Sequence, residues 1–446
     1  MAVVDGERRD NFLVLIGTRP EAIKMLPVVL ALRRSTVFRP VVVTTGQHAD
    51  LVAPILELGA IEPDYDLGVG HPGLTLNELV SSVVTDLDRF CRDRFGATGQ
   101  GVTSRDQIRE GGFPAGMLVH GDTSSAAAAA LASFNLRIPV GHVEAGLRTG
   151  STLTPFPEEL NRQLIGRIAA FHLAPTVLNQ QNLVREGIPD ERVFVTGNTG
   201  IDALRYASTL DVPFADDAVT GVFDSGRPYV VVTAHRRENW DGGLARIGAG
   251  LAAVAAQRPD VSFVVSLHPN PLVREQLGVP LGGLDNVVLT EPLGYAEFAR
   301  LLGRATIVVT DSGGIQEEAP ALGVPVLVAR ESTERIEGVH AGTLRLVGTG
   351  SDSIAAATAG VLADPGSFAV DAAQNPYGDG RASERIVAAL EYLAGYAPPP
   401  QEFGPGFSRR EVLEAAGYPF GMFSTPPEER GVQPDRQEEH DRWVAP

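Results

Sequence analysis

An α/β fold built on two parallel sheets is predicted by three observations. Short apolar runs alternate with helical patterns along the chain, the runs fall into two series, and turns rich in glycine or charge follow several of them. The first series covers residues 12–16, 41–45, 117–120, 140–143, 171–174 and 193–196, and makes one doubly wound domain over residues 10–200. The second covers 229–233, 262–267, 287–290, 307–310 and 326–328, and makes another over 201–379. Two Rossmann-like domains then face each other across a cleft, the usual place for a ligand that both halves must grip. A last helix near 381–393, within 380–394, is expected to pack back on the first domain.

Two segments stand outside this pattern. Residues 96–115, rich in glycine and polar side chains, read as a surface insertion. Residues 397–446 carry nine prolines and a charge-dense run, and read as a flexible tail with a short helix over 412–416 as the alternative.

Composition narrows the function. The 446 residues are 43% hydrophobic, enough apolar material for large cores. A net charge of -18 argues against a nucleic-acid partner, although a few arginines and helix N-termini can still create a local anion site. The single cysteine, Cys91, excludes an internal disulfide framework and a cysteine-rich zinc site. His48, His120 and His142 lack the spacing of a metal site, and no metal or cofactor is expected. No apolar signal region opens the chain and no run approaches 18 apolar residues, so a cytoplasmic enzyme with no membrane contact is expected.

The first turn carries the most specific signal. Lys24 is the sole lysine among 37 Lys and Arg residues. A position that keeps Lys against that background is one where a planar guanidinium is a poor substitute. It lies in GTRPEAIK, directly after the run 12–16, about one turn inside a helix begun by Pro20. The plainer alternative is a leftover lysine on a surface helix.

Later turns add carboxylates. HGDT places Asp122 after residues 117–120, and GHVEAGLRTG places Glu144 after 140–143. PEELNR begins a helix with Glu158 and Arg162 four apart, on one face. Asp122 as a helix cap, with Glu144 and Glu158 paired to arginines, is the structural alternative. Three carboxylates at one crevice suit acid–base work on opposite faces of a sugar ring.

The second domain contributes THRREN, with His235 after residues 229–233, able to bind phosphate or move a proton. His268, after 262–267, reads as a loop-shaping histidine. DSGGIQEE follows 307–310: Ser312, Gly313 and Gly314 open a helix whose N–H groups suit a diphosphate, and Glu318, one turn in, suits ribose hydroxyls.

The runs GTRPEAIK, HGDT, HVEAGLRTG, PEELNR, HRREN, DSGGIQEE, TERIEGVHAGT and NPYGDG, in this order over residues 12–394, resemble the non-hydrolysing UDP-N-acetylglucosamine 2-epimerases. The resemblance implies two Rossmann-like domains of the GT-B type and interconversion of UDP-GlcNAc and UDP-ManNAc without metal or nicotinamide. It implies active-site positions at Arg19, Lys24, Asp122, Glu144, Glu158 and His235, beside which Arg162, on the face of Glu158, is a candidate for binding substrate. It also implies a diphosphate loop at Ser312, Gly313 and Gly314, a ribose contact at Glu318, a ligand arginine at Arg335, and a uracil-reading backbone at Leu293 and Phe298. Ile336 stands where many members have proline. Gln47 and His48 resemble part of a segment that binds a second UDP-GlcNAc as activator in some bacterial members. A homodimer, and a product feeding cell-wall or surface polysaccharide synthesis, are implied by the family alone. A GT-B glycosyltransferase, a hydrolysing 2-epimerase and a catalytically silent sensor of nucleotide sugars are the competing readings of the same UDP-sugar cradle.

Overall fold

The computed structural model describes residues 9–71, 73–96, 112–333 and 335–404. Most of the 96–115 insertion and nearly all of the 397–446 tail, including its candidate helix, lie outside the described residues.

The first sheet has seven parallel strands: β1 (Asp10–Ile16), β2 (Phe38–Thr44), β3 (Tyr65–Asp66), β4 (Gly116–His120), β5 (Val140–Val143), β6 (Phe171–Ala174) and β7 (Val193–Val195), in the order β3-β2-β1-β4-β5-β6-β7. The second has six: β8 (Tyr229–Thr233), β9 (Ser262–Ser266), β10 (Val287–Thr290), β11 (Ile307–Thr310), β12 (Val326–Val328) and β13 (Leu344–Leu346), in the order β10-β9-β8-β11-β12-β13. All eleven expected strands form. Their continuous apolar runs follow from helices covering both faces, which leaves no solvent side to alternate toward. In β1, Leu13, Val14, Leu15 and Ile16 are all buried, facing two separate cores.

β3 and β13 were not expected. At two and three residues they are too short to show a period, and they form by pairing with β2 and β12. β2 begins three residues before the expected start, running through Pro40. Proline has no N–H to donate, but β3 pairs β2 only at Val43 and Thr44, so Pro40 lies where β2 has a single neighbour.

Two helices tie the chain together. Helix Thr199–Ser208 packs on helix Arg19–Arg34 and also on helix Tyr295–Leu302. Helix Ala382–Leu393 adds Ile386, Val387, Ala389 and Leu390 to the core that contains Phe12, Met25 and Leu26. Its first turn is anchored by Asp202, which accepts from Ala382 N at 3.0 Å and from Ser383 N at 2.7 Å. Beyond it the chain returns to the sheet edge: Phe403 N donates to Val195 O at 2.8 Å, and the Phe403 ring is buried beneath the Arg385 guanidinium. Residues 402–403 are thus docked at the start of the segment that reads as a tail. Among the described residues, no single helix is long and apolar enough to cross a membrane.

Candidate active site

Carboxyl ends of parallel strands converge the loops that follow them, and both sheets use theirs. After β1, Glu21 shapes the first loop: its carboxylate accepts from Gly17 N at 2.9 Å, Thr18 N at 2.7 Å and Thr123 Oγ1 at 2.7 Å. That buried carboxylate caps helix Arg19–Arg34 and joins the loops after β1 and β4. Arg19 lies exposed at the first helical position.

Lys24, one turn further, forms an ion pair with Glu144 Oε2. His120, the last residue of β4, puts Nε2 2.8 Å from the same oxygen, off the line of an aligned hydrogen bond. Glu144 itself has φ +62°, a left-handed conformation costly for a residue other than glycine, which commonly marks a functional position. Burial opposes both charges of the pair. Against it, Lys24 and His120 hold the Glu144 carboxyl well below the usual carboxylate range, while Glu144, Glu317 and Glu318 raise the Lys24 ammonium above its ordinary value.

Asp122 Oδ2 meets Arg162 Nη2 at 2.5 Å, and Asn161 Nδ2 donates to the Asp122 carbonyl at 2.9 Å. Arg162 Nη1 also reaches the fully buried Glu159 at 2.9 Å. Glu158 begins the same helix, and its Oε2 is buried without a hydrogen-bond partner among the described residues. Asp122 and Glu144 thus each have a cation, while Glu158 has a buried oxygen to spare. His142, buried in β5, donates from Nε2 to Gly121 O at 2.7 Å, and since a carbonyl can only accept, Nε2 carries the proton.

The second half is organised by Asp311, fully buried after β11. It accepts from His235 N at 3.0 Å, Arg236 N at 2.8 Å and Asn239 Nδ2 at 2.9 Å, so one carboxylate fixes the loop after β8. The His235 ring stacks on His268 with centroids 5.4 Å apart. Burial and the neighbouring His268 and Arg236 lower its pKa despite Asp311. Ser312 stands just before the short helix Gly313–Glu318, with no capping hydrogen bond from its side chain. A Cβ on Gly313 would lie 3.1 Å from Arg335 Cζ and 3.2 Å from Arg236 Nη2, so two guanidinium groups close in on this turn. Arg236 Nε is buried without a partner among the described residues.

Glu317 receives Arg335 Nε at 2.9 Å and Asn198 Nδ2 at 3.0 Å. Burial and the adjacent Glu317 push the Glu318 carboxyl up to about 7, with Lys24 opposing. Leu293 and Phe298 are half-buried against the core that holds Val231, Val308 and Val326 of the second sheet, and Phe298 N–H is occupied by Gly294 O at 2.9 Å. Gln47 accepts from Ser125 Oγ at 2.6 Å, and His48 lines a cavity of about 240 Å³ with Gly17, Thr44, Gly46 and Asp66. Sequence reasoning passed over Glu21, Asp311, Arg236 and Glu317 as individual residues. The signal was present in part, since each lies inside a motif already singled out.

Two parallel-sheet domains, with a glycine-opened helix in one and acidic strand ends in the other, define an α/β protein of the GT-B type. A sequence profile of the UDP-N-acetylglucosamine 2-epimerases matches residues 30–391. The UDP-N-acetylglucosamine 2-epimerase of Salmonella typhimurium is 45% identical over 385 residues, covering 85% of this chain and 98% of that one. That of Escherichia coli K12 is 42% identical over 387 residues, with the same coverage. Among solved structures, UDP-GlcNAc 2-epimerase from Neisseria meningitidis bound to UDP-GlcNAc shares 37% identity at a TM-score of 0.73, covering 86% of this chain and all of that one. The chain belongs to the UDP-N-acetylglucosamine 2-epimerase family.

Proposed function

We propose that this chain interconverts UDP-GlcNAc and UDP-ManNAc without hydrolysis, by elimination of UDP and its re-addition. The observation that carries the reading is the position of Lys24. It is paired with Glu144 on the first sheet's side and lies near enough to Glu317 and Glu318 of the second for their charges to stabilise its own. A sugar nucleotide held by both domains would bring its anomeric carbon to that point.

The sugar C2 lacks a neighbouring carbonyl, so direct removal of its proton yields no stabilised carbanion. In the proposed first step the C2–H and C1–O bonds break and a C1=C2 double bond forms, giving 2-acetamidoglucal, UDP and one proton held on a carboxylate. In the second, UDP re-adds at C1 and C2 takes a proton on its opposite face. Asp122, Glu144 and Glu158 supply the proton-handling groups. Arg19, Lys24, His235, Arg335 and the N–H groups at Ser312, Gly313 and Gly314 stabilise the departing diphosphate, the kind of electrostatic assistance that often contributes most. Arg162 orients Asp122, Glu318 takes the ribose, and the segment from Leu293 to Phe298 takes uracil. No cofactor enters the scheme. Family kinship supports a cytoplasmic homodimer, activation by a second UDP-GlcNAc at Gln47 and His48, and use of the product in surface polysaccharide synthesis.

Proton NMR of the purified chain with UDP-GlcNAc in deuterated water tests the reading. UDP-ManNAc with deuterium at C2 is expected. Free ManNAc plus UDP would mean a hydrolysing enzyme, and binding without any conversion would mean a transferase or sensor.

A further inference from the structure

Two groups meet Glu144, and both meet it at Oε2. No hydrogen bond from the described residues falls on Oε1. Lys24 reaches Oε2 through a flexible four-carbon stem ending in a charge with no preferred direction, so it can attract the carboxylate without aiming it. His120 differs in kind. Its ring is rigid, about one-twentieth exposed, and rooted at the end of a strand paired on both sides. The peptide that follows it is held in turn by His142, through the 2.7 Å contact at Gly121 O. Its Nε2 is buried and makes no aligned hydrogen bond among the described residues, and the polar group recorded beside it is Glu144 Oε2 at 2.8 Å.

We propose that His120 is a positioning residue for the epimerisation, gripping Glu144 by Oε2 and so presenting Oε1 to the sugar. The inference rests on the reading of function above. Glu144 needs such a hold because its left-handed backbone is a conformation its neighbours must impose. A misplacement of about 1 Å at a reacting group can cost about a hundredfold in rate, which sets the size of the expected effect.

The test compares His120→Phe, which keeps the ring's bulk and removes its nitrogens, with His120→Gln, whose amide can donate near the Nε2 position. Turnover of UDP-GlcNAc is measured for both and for the wild type, with folding checked by thermal melting. His120→Phe is expected to lose about a hundredfold in kcat with KM changed less than about threefold, and His120→Gln to recover at least about tenfold of that loss. Equal losses in both variants, wild-type kcat in both, or an effect on KM alone would overturn the proposal. Should His120→Phe fail to fold, His120→Asn, whose amide stops one bond short, replaces it in the same comparison. A wild-type chain that makes no UDP-ManNAc overturns the function and this inference together; an active wild type with indifferent variants removes only the inference.

Discussion

In the first sheet's half of the site, Glu144 and Asp122 are each held by a cationic side chain, Lys24 and Arg162. In the second sheet's half, Asp311 is held by two backbone N–H groups and the Asn239 amide, with no charged partner at hydrogen-bonding distance. The first arrangement leaves side chains able to exchange protons and partners as a reaction proceeds. The second locks a loop. The difference teaches where chemistry and where binding belong: groups that must change charge face cationic side chains, and groups that must stay still are built into the backbone.

Replacing a carboxylate in the first half therefore removes turnover while sparing affinity. Asp122→Asn, Glu144→Gln and Glu158→Gln are each expected to lower kcat by about 10²–10⁴, with UDP-GlcNAc affinity by calorimetry kept within a few fold. Affinity falling in step with kcat would erase the proposed division. Asp311→Ala should do the reverse of sparing the fold, since it strands buried donors. A stability loss of about 2–4 kcal/mol in urea unfolding is expected, with UDP affinity lost as the loop after β8 loosens.

Lys24→Arg sharpens the comparison by keeping charge and changing shape. Lys24 meets Glu144 with a compact ammonium on a flexible stem, which a planar guanidinium with its fixed fork of donors does not reproduce. The variant should melt within a few degrees of the wild type and lose activity; full turnover would make the lone lysine incidental.

The smallest effect concerns His142 and His172, neighbours on β5 and β6 that burial lowers to about 3 and about 4. Both stay neutral when folded, whereas the unfolded chain protonates below about 6.5. Their contribution is present above that pH and fades as pH falls toward 4, by on the order of 2 kcal/mol each at pH 5. His172→Phe should thus flatten the stability profile between pH 8 and pH 5 in urea unfolding, and an unchanged slope would show that His172 does not titrate there.

Local signals made most of the fold legible. β1 and β8 announce themselves as apolar runs, and helix Arg19–Arg34 by Pro20 at its start. β3 and β13 were hidden because two or three residues carry no period, and their existence depends on neighbours distant in sequence. The candidate site divides the same way. Asp122, Glu144 and Gly313 could be located because each follows a strand, but the role of Asp311 depends on N–H groups some 75 residues earlier, and Glu144's meeting with His120 depends on the alignment of β4 with β5. Residue types are local information; partners are not.

The docking of Phe403 at β7 has a consequence outside catalysis. An edge strand offers unpaired N–H and C=O groups to any other extended chain, a standing invitation to aggregate. Val195 would make that offer, yet its carbonyl is taken by Phe403 N and its N–H faces the Glu402 carboxylate at 3.4 Å. The protein's own late residues act as a selvedge, finishing the woven edge with a negative charge so that it does not unravel into a neighbour.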